Sequence, residues 1–101
     1  MGTFVEVAKE SDIREGEGKT VQANGKAIAL YKKGGAFYAL DNTCAHAGGP
    51  LGEGTLDGEL VTCPLHGWQY HLKTGACDTV PGMEVASYKV KTENGKVFVE
   101  V

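Results

Sequence analysis

The chain has 101 residues, 15 of them glycine, with 42% apolar and 23% charged side chains. That length holds one domain around one core, and the apolar content excludes a disordered chain. Ten basic against 13 acidic residues leave a formal charge of −3, which excludes the basic face that general nucleic-acid binding requires.

Residues 1–18 carry Glu6, Lys9, Glu10, Asp12, Arg14, Glu15 and Glu17 and hold no apolar signal-peptide core. Residues 3–8, with Phe4, Val5 and Val7, predict an opening strand, and 11–18 a polar turn. Residues 19–23 and 26–32 are β-rich runs joined by Asn24-Gly25, a hairpin signal because a type I′ turn needs positive φ at both central positions. Gly34-Gly35 then turns the chain into a strand over 36–40, so the first 40 residues read as one antiparallel meander. The longest helix-like apolar candidate, 27–31, is far short of the ~20 residues that span a bilayer. No membrane association is expected, and the expected location is cytoplasmic.

At the far end, residues 85–92 alternate as one strand with a single buried face. Asn94-Gly95 marks another hairpin, followed by Val97, Phe98, Val99 and Val101. The expected fold class is all-β: antiparallel sheets of a small β-sandwich or barrel scaffold. Between the β-rich ends, residues 41–81 hold all three cysteines, all three histidines, all three prolines and the only tryptophan. They read as a ligand-bearing subdomain inserted into a single domain over 1–101. Five of the 15 glycines fall between Gly48 and Gly58, as tight loops around a bound group require.

The inserted segment reads Cys44-Ala45-His46, then 16 residues, then Cys63-Pro64-Leu65-His66. Three cysteines are an odd count, which speaks for metal or redox use over a disulfide framework. A single zinc usually draws two ligands per loop separated by two to four residues. The one-residue gap between Cys44 and His46 is tight for one tetrahedral ion. It fits a pair that diverges onto two adjacent irons, with Cys44 and Cys63 on one and His46 and His66 on the other, as in a 2Fe-2S cluster. A structural zinc site with the same four residues is the alternative, since Cys2His2 is also a zinc set. A Cys63–His66 nucleophilic pair lacks an orienting third group and leaves the other two ligands unexplained.

This C-x-H, 16-residue, C-x-x-H pattern, with Gly67-Trp68 after it, resembles that of Rieske iron–sulfur proteins. The likeness continues through Gly48-Gly49-Pro50-Leu51, Leu56-Asp57-Gly58 and Thr74-Gly75. In size and flanking strands the chain is similar to the Rieske-type ferredoxins of bacterial aromatic-ring-hydroxylating oxygenase systems. The resemblance implies a Rieske fold of three small antiparallel sheets, with Cys44, His46, Cys63 and His66 holding one Rieske 2Fe-2S cluster. It implies a one-electron carrier that takes electrons from a flavin- and NAD(P)H-dependent reductase and passes them to a terminal oxygenase. With every terminal iron position filled by protein, no site is left for a substrate, so an enzyme is not expected. The small Rieske-like subunit of an assimilatory nitrite reductase has a similar size and pattern and is the alternative within the same chemistry.

Two neutral imidazoles in place of two thiolates make reduction easier. Rieske potentials accordingly run from roughly −150 to +300 mV, against about −400 mV for plant-type clusters. Rieske proteins of respiratory complexes carry an extra cysteine in each loop, where this chain has Gly49 and Leu65, and a serine where it has Trp68. Both departures imply the ferredoxin-like, low-potential end. Tyr70 stands where the high-potential type has a tyrosine that bonds a ligating sulfur, and such a bond favours the reduced state. Trp68 and Leu65 are expected in the core or shielding the cluster. His71 is expected as a surface residue, Cys77 as a small semi-buried one, and Glu53, Asp57 and Glu59 as a solvated acidic face.

Overall fold

The structure is a computed structural model, and it describes residues 3–43, 50–65 and 67–101. Among them every strand pairs antiparallel, in three sheets. Two single-turn 3-10 segments, Glu10–Asp12 and Leu51–Glu53, are the helical turns among the described residues.

The middle sheet is built from β2 (Gly18–Ala23), β3 (Lys26–Lys33), β4 (Ala36–Asp41) and β8 (Ser87–Tyr88), in that order. The β2–β3 turn is Asn24-Gly25, with φ of 51° and 79°, as the sequence predicts for a type I′ hairpin. The run over 27–31 is the strand at the centre of the molecule. Ile28, Ala29, Leu30 and Tyr31 are all fully buried. Side chains alternate across a strand, so Ile28 and Leu30 enter one core, while Ala29 and Tyr31 enter another. A strand covered on both faces needs no polar positions, which explains the continuous apolar run.

One covering layer is the sheet of β1 (Phe4–Lys9), β10 (Lys96–Glu100) and β9 (Val90–Glu93). Val97 and Val99 of β10 close the first core against Ile28, Leu30, Phe37 and Val21. Each such side chain taken from water contributes about 1.5–3 kcal/mol. The other layer is the sheet of β5 (Thr55–Asp57), β6 (Leu60–Thr62) and β7 (Gln69–His71). It brings Val61 and Tyr70 against Tyr31, Leu40 and Leu51. These three strands lie between β4 and β8 in the chain and pair only with one another.

Two expectations need correction. The meander holds for β2–β4, but β1 pairs with β10, because the apolar residues at the two ends of the chain complete one sheet. The single strand expected over 85–92 is two. β8 joins β4 and β9 joins β10, with the break at Lys89, whose carbonyl accepts a hydrogen bond from the Glu100 amide at 2.9 Å. The segment bridges two layers, so its sides cannot face one core throughout.

Candidate metal centre

Of the four candidate ligands, Cys63 lies within the described residues, while Cys44, His46 and His66 lie outside them. Cys63 directly follows β6, in the hairpin that leads to β7. Its amide donates to the Trp68 carbonyl at 2.8 Å, and its carbonyl accepts from the Gly67 amide at 3.1 Å. The turn so closed leaves Pro64 and Leu65 exposed. Gly67 has φ of 76°, a left-handed conformation that costs glycine nothing and other residues more.

The turn separates two environments. Cys63 is 2% exposed and shares a core with Leu51, Val61, Tyr70 and Cys77. Leu65, two residues on, is 55% exposed. Leu65 is therefore not core, contrary to one of the readings above; the tight turn that buries the thiol throws its neighbour outward. Trp68 is half-buried against the same core. Tyr70 is fully buried there.

The first candidate loop is defined at its two ends. Thr43 and Pro50 form an antiparallel bridge, and the Leu51 amide donates to the Asn42 carbonyl at 2.8 Å. The chain beyond β4 thus leaves at Thr43 and returns at Pro50 through a closed β bridge.

A third segment, 76–84, runs beside β7; the sequence places 76–81 in the ligand-bearing segment, with Cys77 as a small semi-buried residue, but does not predict the bonds that tie it to β7. Tyr70 and Cys77 form a bridge, the Asp78 amide donates to the Gln69 carbonyl at 2.8 Å, and the Gln69 amide donates to Thr79 Oγ1 at 2.9 Å. The chain then turns through Pro81 and Gly82, and the Cys77 amide donates to the Met83 carbonyl at 2.9 Å. Cys77 is buried, and its sulfur accepts from the Val80 amide at 3.4 Å. The Pro81-Gly82 dipeptide was the available signal, since it marks a reversal beside β7.

His71 is exposed on β7 and sits 3.2 Å from Asp78 Oδ1, a surface pair as expected. Glu53, Asp57 and Glu59 are exposed. Glu59 is paired, its carboxylate lying 3.2 Å from Lys73 Nζ, and that contact raises the lysine pKa.

The surroundings of Cys63 fit an iron–sulfur centre. The Cys63 sulfur is buried among apolar side chains, in a core that also holds Leu51, whose amide is bonded to the Asn42 carbonyl at the end of β4. Such a shell excludes water from a thiolate-bound metal and sets its dielectric. Two thiols and two imidazoles are the ligand chemistry of a Rieske centre, whose mixed set distinguishes it from all-cysteine clusters.

Comparison with known proteins gives the family and the cofactor. Residues 3–89 match the family described as the Rieske [2Fe-2S] domain, and the chain belongs to that family. Among relatives, it is 36% identical over 99 residues to the ferredoxin component of the naphthalene 1,2-dioxygenase/salicylate 5-hydroxylase systems of a Ralstonia species. That alignment covers 97% of this chain and 95% of the relative. It is also 36% identical to the 3-phenylpropionate/cinnamic acid dioxygenase ferredoxin subunit of Escherichia coli K12, covering 90% of this chain and 87% of that one. A solved complex of reduced oxygenase and oxidized ferredoxin in carbazole 1,9a-dioxygenase contains a chain that matches at TM-score 0.87. It is 33% identical, over 96% of this chain and 92% of that one. The NADH-dependent nitrite reductase small subunit of Mycobacterium tuberculosis matches at TM-score 0.92 with 20% identity, over 100% and 96% of the two chains; that likeness speaks for the fold alone. The chain is accordingly a Rieske protein with one 2Fe-2S cluster, an electron-transfer component and not a catalyst.

Proposed function

We propose that this chain carries single electrons from a flavin- and NAD(P)H-dependent reductase to the terminal oxygenase of an aromatic-ring-hydroxylating system. The observation that carries the reading is the near full-length similarity to ferredoxin components of dioxygenase systems. The cluster, when bound, supplies a single reversible electron. We assign Cys44 and Cys63 to one iron and His46 and His66 to the other, with residues 41–81 acting as the cluster-binding subdomain of a single domain. The cytoplasm is the compartment that suits this chemistry, because a reducing environment keeps ligand cysteines from pairing. Among the described residues, no helix is long and apolar enough to cross a membrane.

The chain's own residues divide the work. Val61, Tyr70 and Leu51 keep water from the Cys63 sulfur. Leu65, 55% exposed, and Met83, 38% exposed, are the large exposed hydrophobic side chains of the described residues. They sit on the Cys63 turn and on the segment beside β7. An exposed apolar side chain two residues from a ligand, as Leu65 is from Cys63, suits a transient protein partner.

Absorption and electron paramagnetic resonance spectra of freshly purified protein test the assignment. The expected protein is red-brown and gains a paramagnetic signal on reduction, with electron flow restored by a ring-hydroxylating oxygenase and its reductase. A colourless protein with stoichiometric zinc overturns the cluster. Turnover with a nitrite reductase catalytic subunit in place of the oxygenase overturns the partner.

A further inference from the structure

Asn42 is the buried polar residue of the described chain, and all of its observed bonds converge on one place. Its amide donates to the Ala27 carbonyl at 3.2 Å, tying the end of β4 to the start of β3. Its carbonyl accepts from the Leu51 amide at 2.8 Å. Its side-chain Oδ1 accepts twice, from the Gly52 amide at 2.7 Å and from the Thr20 hydroxyl at 3.1 Å. One residue therefore links β2, β3 and β4 to the 3-10 turn that receives the chain from residues 44–49.

The neighbours are fitted to this link. A Cβ on Gly52 would lie 2.3 Å from Thr20 Oγ1 and 2.8 Å from Asn42 Oδ1, so the turn reaches the sheet only because it has no side chain there. Leu51 is fully buried, and its carbonyl accepts from the Tyr31 hydroxyl. The exit strand and the return strand of the loop are thus pinned to the sheet within two residues of each end.

We propose that Asn42 is a positioning residue for the cluster: by gripping Gly52 and Thr20 with one side-chain oxygen, it fixes the two ends, at Asn42 and Gly52, of the segment that carries Cys44 and His46. The inference rests on the assignment of those two residues as ligands. Asn42 itself touches no reacting atom. Its effect comes from removing freedom at the loop's base, because a bound group holds longer when its ligands are already in place.

The test measures cluster release from the holoprotein into excess iron chelator, well below the unfolding temperature, together with the resonance spectrum of the reduced form. Asn42→Ala is expected to release its cluster at least about fivefold faster than wild type, since it removes the acceptor of two hydrogen bonds, with broadened signals. Leu30→Ala, in the core on the far face of the middle sheet, is the control for lost stability. Measured equally far below its own midpoint, it is expected to release at the wild-type rate. Asn42→Asp keeps the accepting oxygen and is expected to return release to within about twofold of wild type. Thr20→Val removes one of the two bonds and is expected to fall between. Equal release from Asn42→Ala and Leu30→Ala, or no rescue by Asn42→Asp, overturns the proposal. If Asn42→Ala does not fold, wild-type release from Thr20→Val overturns it. Cys44→Ala and His46→Ala run alongside: wild-type spectra from both would overturn the ligand assignment itself, a different failure.

Discussion

The base of the molecule and its tip are built on different physics. The base, β2–β4 with the β1–β10–β9 layer, uses strands of four to eight residues and a core of Val, Ile, Leu and Ala. Its turns at Asn24-Gly25 and Asn94-Gly95 are local and place asparagine at positive φ. The tip, β5–β7, has three strands of three residues each. Such short strands supply few ladder bonds, and an isolated ladder of this size is marginal. The tip is completed by bonds from loops: the Leu72 amide to the Glu59 carbonyl and the His71 amide to the Ala76 carbonyl, each at 2.8 Å. The base has a larger share of long paired strands around its own buried cluster, whereas the tip gains from a bound group that ties its loops together, since metal binding free energy is also folding free energy.

Removing the cluster is the strongest way to break that contrast. Amides of Val61, Tyr70 and Leu72 are expected to exchange with solvent on the order of a hundredfold faster in chelated protein, while those of Ile28 and Leu30 change by less than about threefold. Hydrogen exchange read by mass spectrometry separates the two sets. Parallel loss in both would show that base and tip are one cooperative unit, and the division would fail.

The same contrast explains what the sequence disclosed. Period-two patterning and Asn-Gly turns are signals confined to a few neighbouring residues, so β2, β3, β4 and β10 were legible nearly to their ends. The pairing of β1 with β10 joins residues more than 85 positions apart, such as Phe4 with Glu100, and no local pattern encodes it. The break at Lys89 was hidden for a similar reason. An alternating run looks the same whether one sheet or two receive it. At the tip, residue chemistry and spacing marked Cys63, and the structure buries it beside Tyr70 and Cys77. The role of Asn42 was illegible, because an asparagine before a loop reads as turn chemistry until Gly52 and Thr20 are seen to converge on its oxygen. The bonds of segment 76–84 to β7 were illegible because they run mainly through the backbone, which carries no residue signature.

Tyr70 sharpens the comparison within the tip. It is fully buried in the core that holds Cys63, and in sequence it stands where the resemblance to high-potential Rieske proteins implies a tyrosine bonded to a ligating sulfur, a bond that favours the reduced cluster. Tyr70→Phe is expected to lower the potential by roughly 20–65 mV, the one-electron equivalent of about 0.5–1.5 kcal/mol. Tyr88→Phe, on β8 at the edge of the middle sheet, is expected to leave it in place. Voltammetry of both variants decides the matter, and an unchanged potential in Tyr70→Phe removes tyrosine from the tuning of the centre.

The smallest expected effect belongs to the base. Glu15 accepts hydrogen bonds from the Gly34 amide and, at 3.1 Å, from the Gly35 amide, fastening the loop before β2 to the turn between β3 and β4. The bond from Gly34, then that from Gly35, with Lys32 and Lys33 nearby, holds the carboxyl pKa below its ordinary 4.5. A carboxylate whose pKa is lower in the folded state binds protons more readily in the unfolded chain. Its stabilisation is therefore complete above about pH 4.5 and drains away as the pH falls through the folded value. Glu15→Gln keeps one accepting oxygen and has no charge to lose. Its midpoint is expected to lie slightly below that of wild type at pH 7, the gap closing as the pH approaches 3, with the cluster spectrum unchanged throughout. Thermal unfolding from pH 7 to pH 3 reads this directly. A gap that stayed constant with pH would show that the carboxylate's charge contributes nothing at the turn, and an altered spectrum would show that base and tip are coupled through β3.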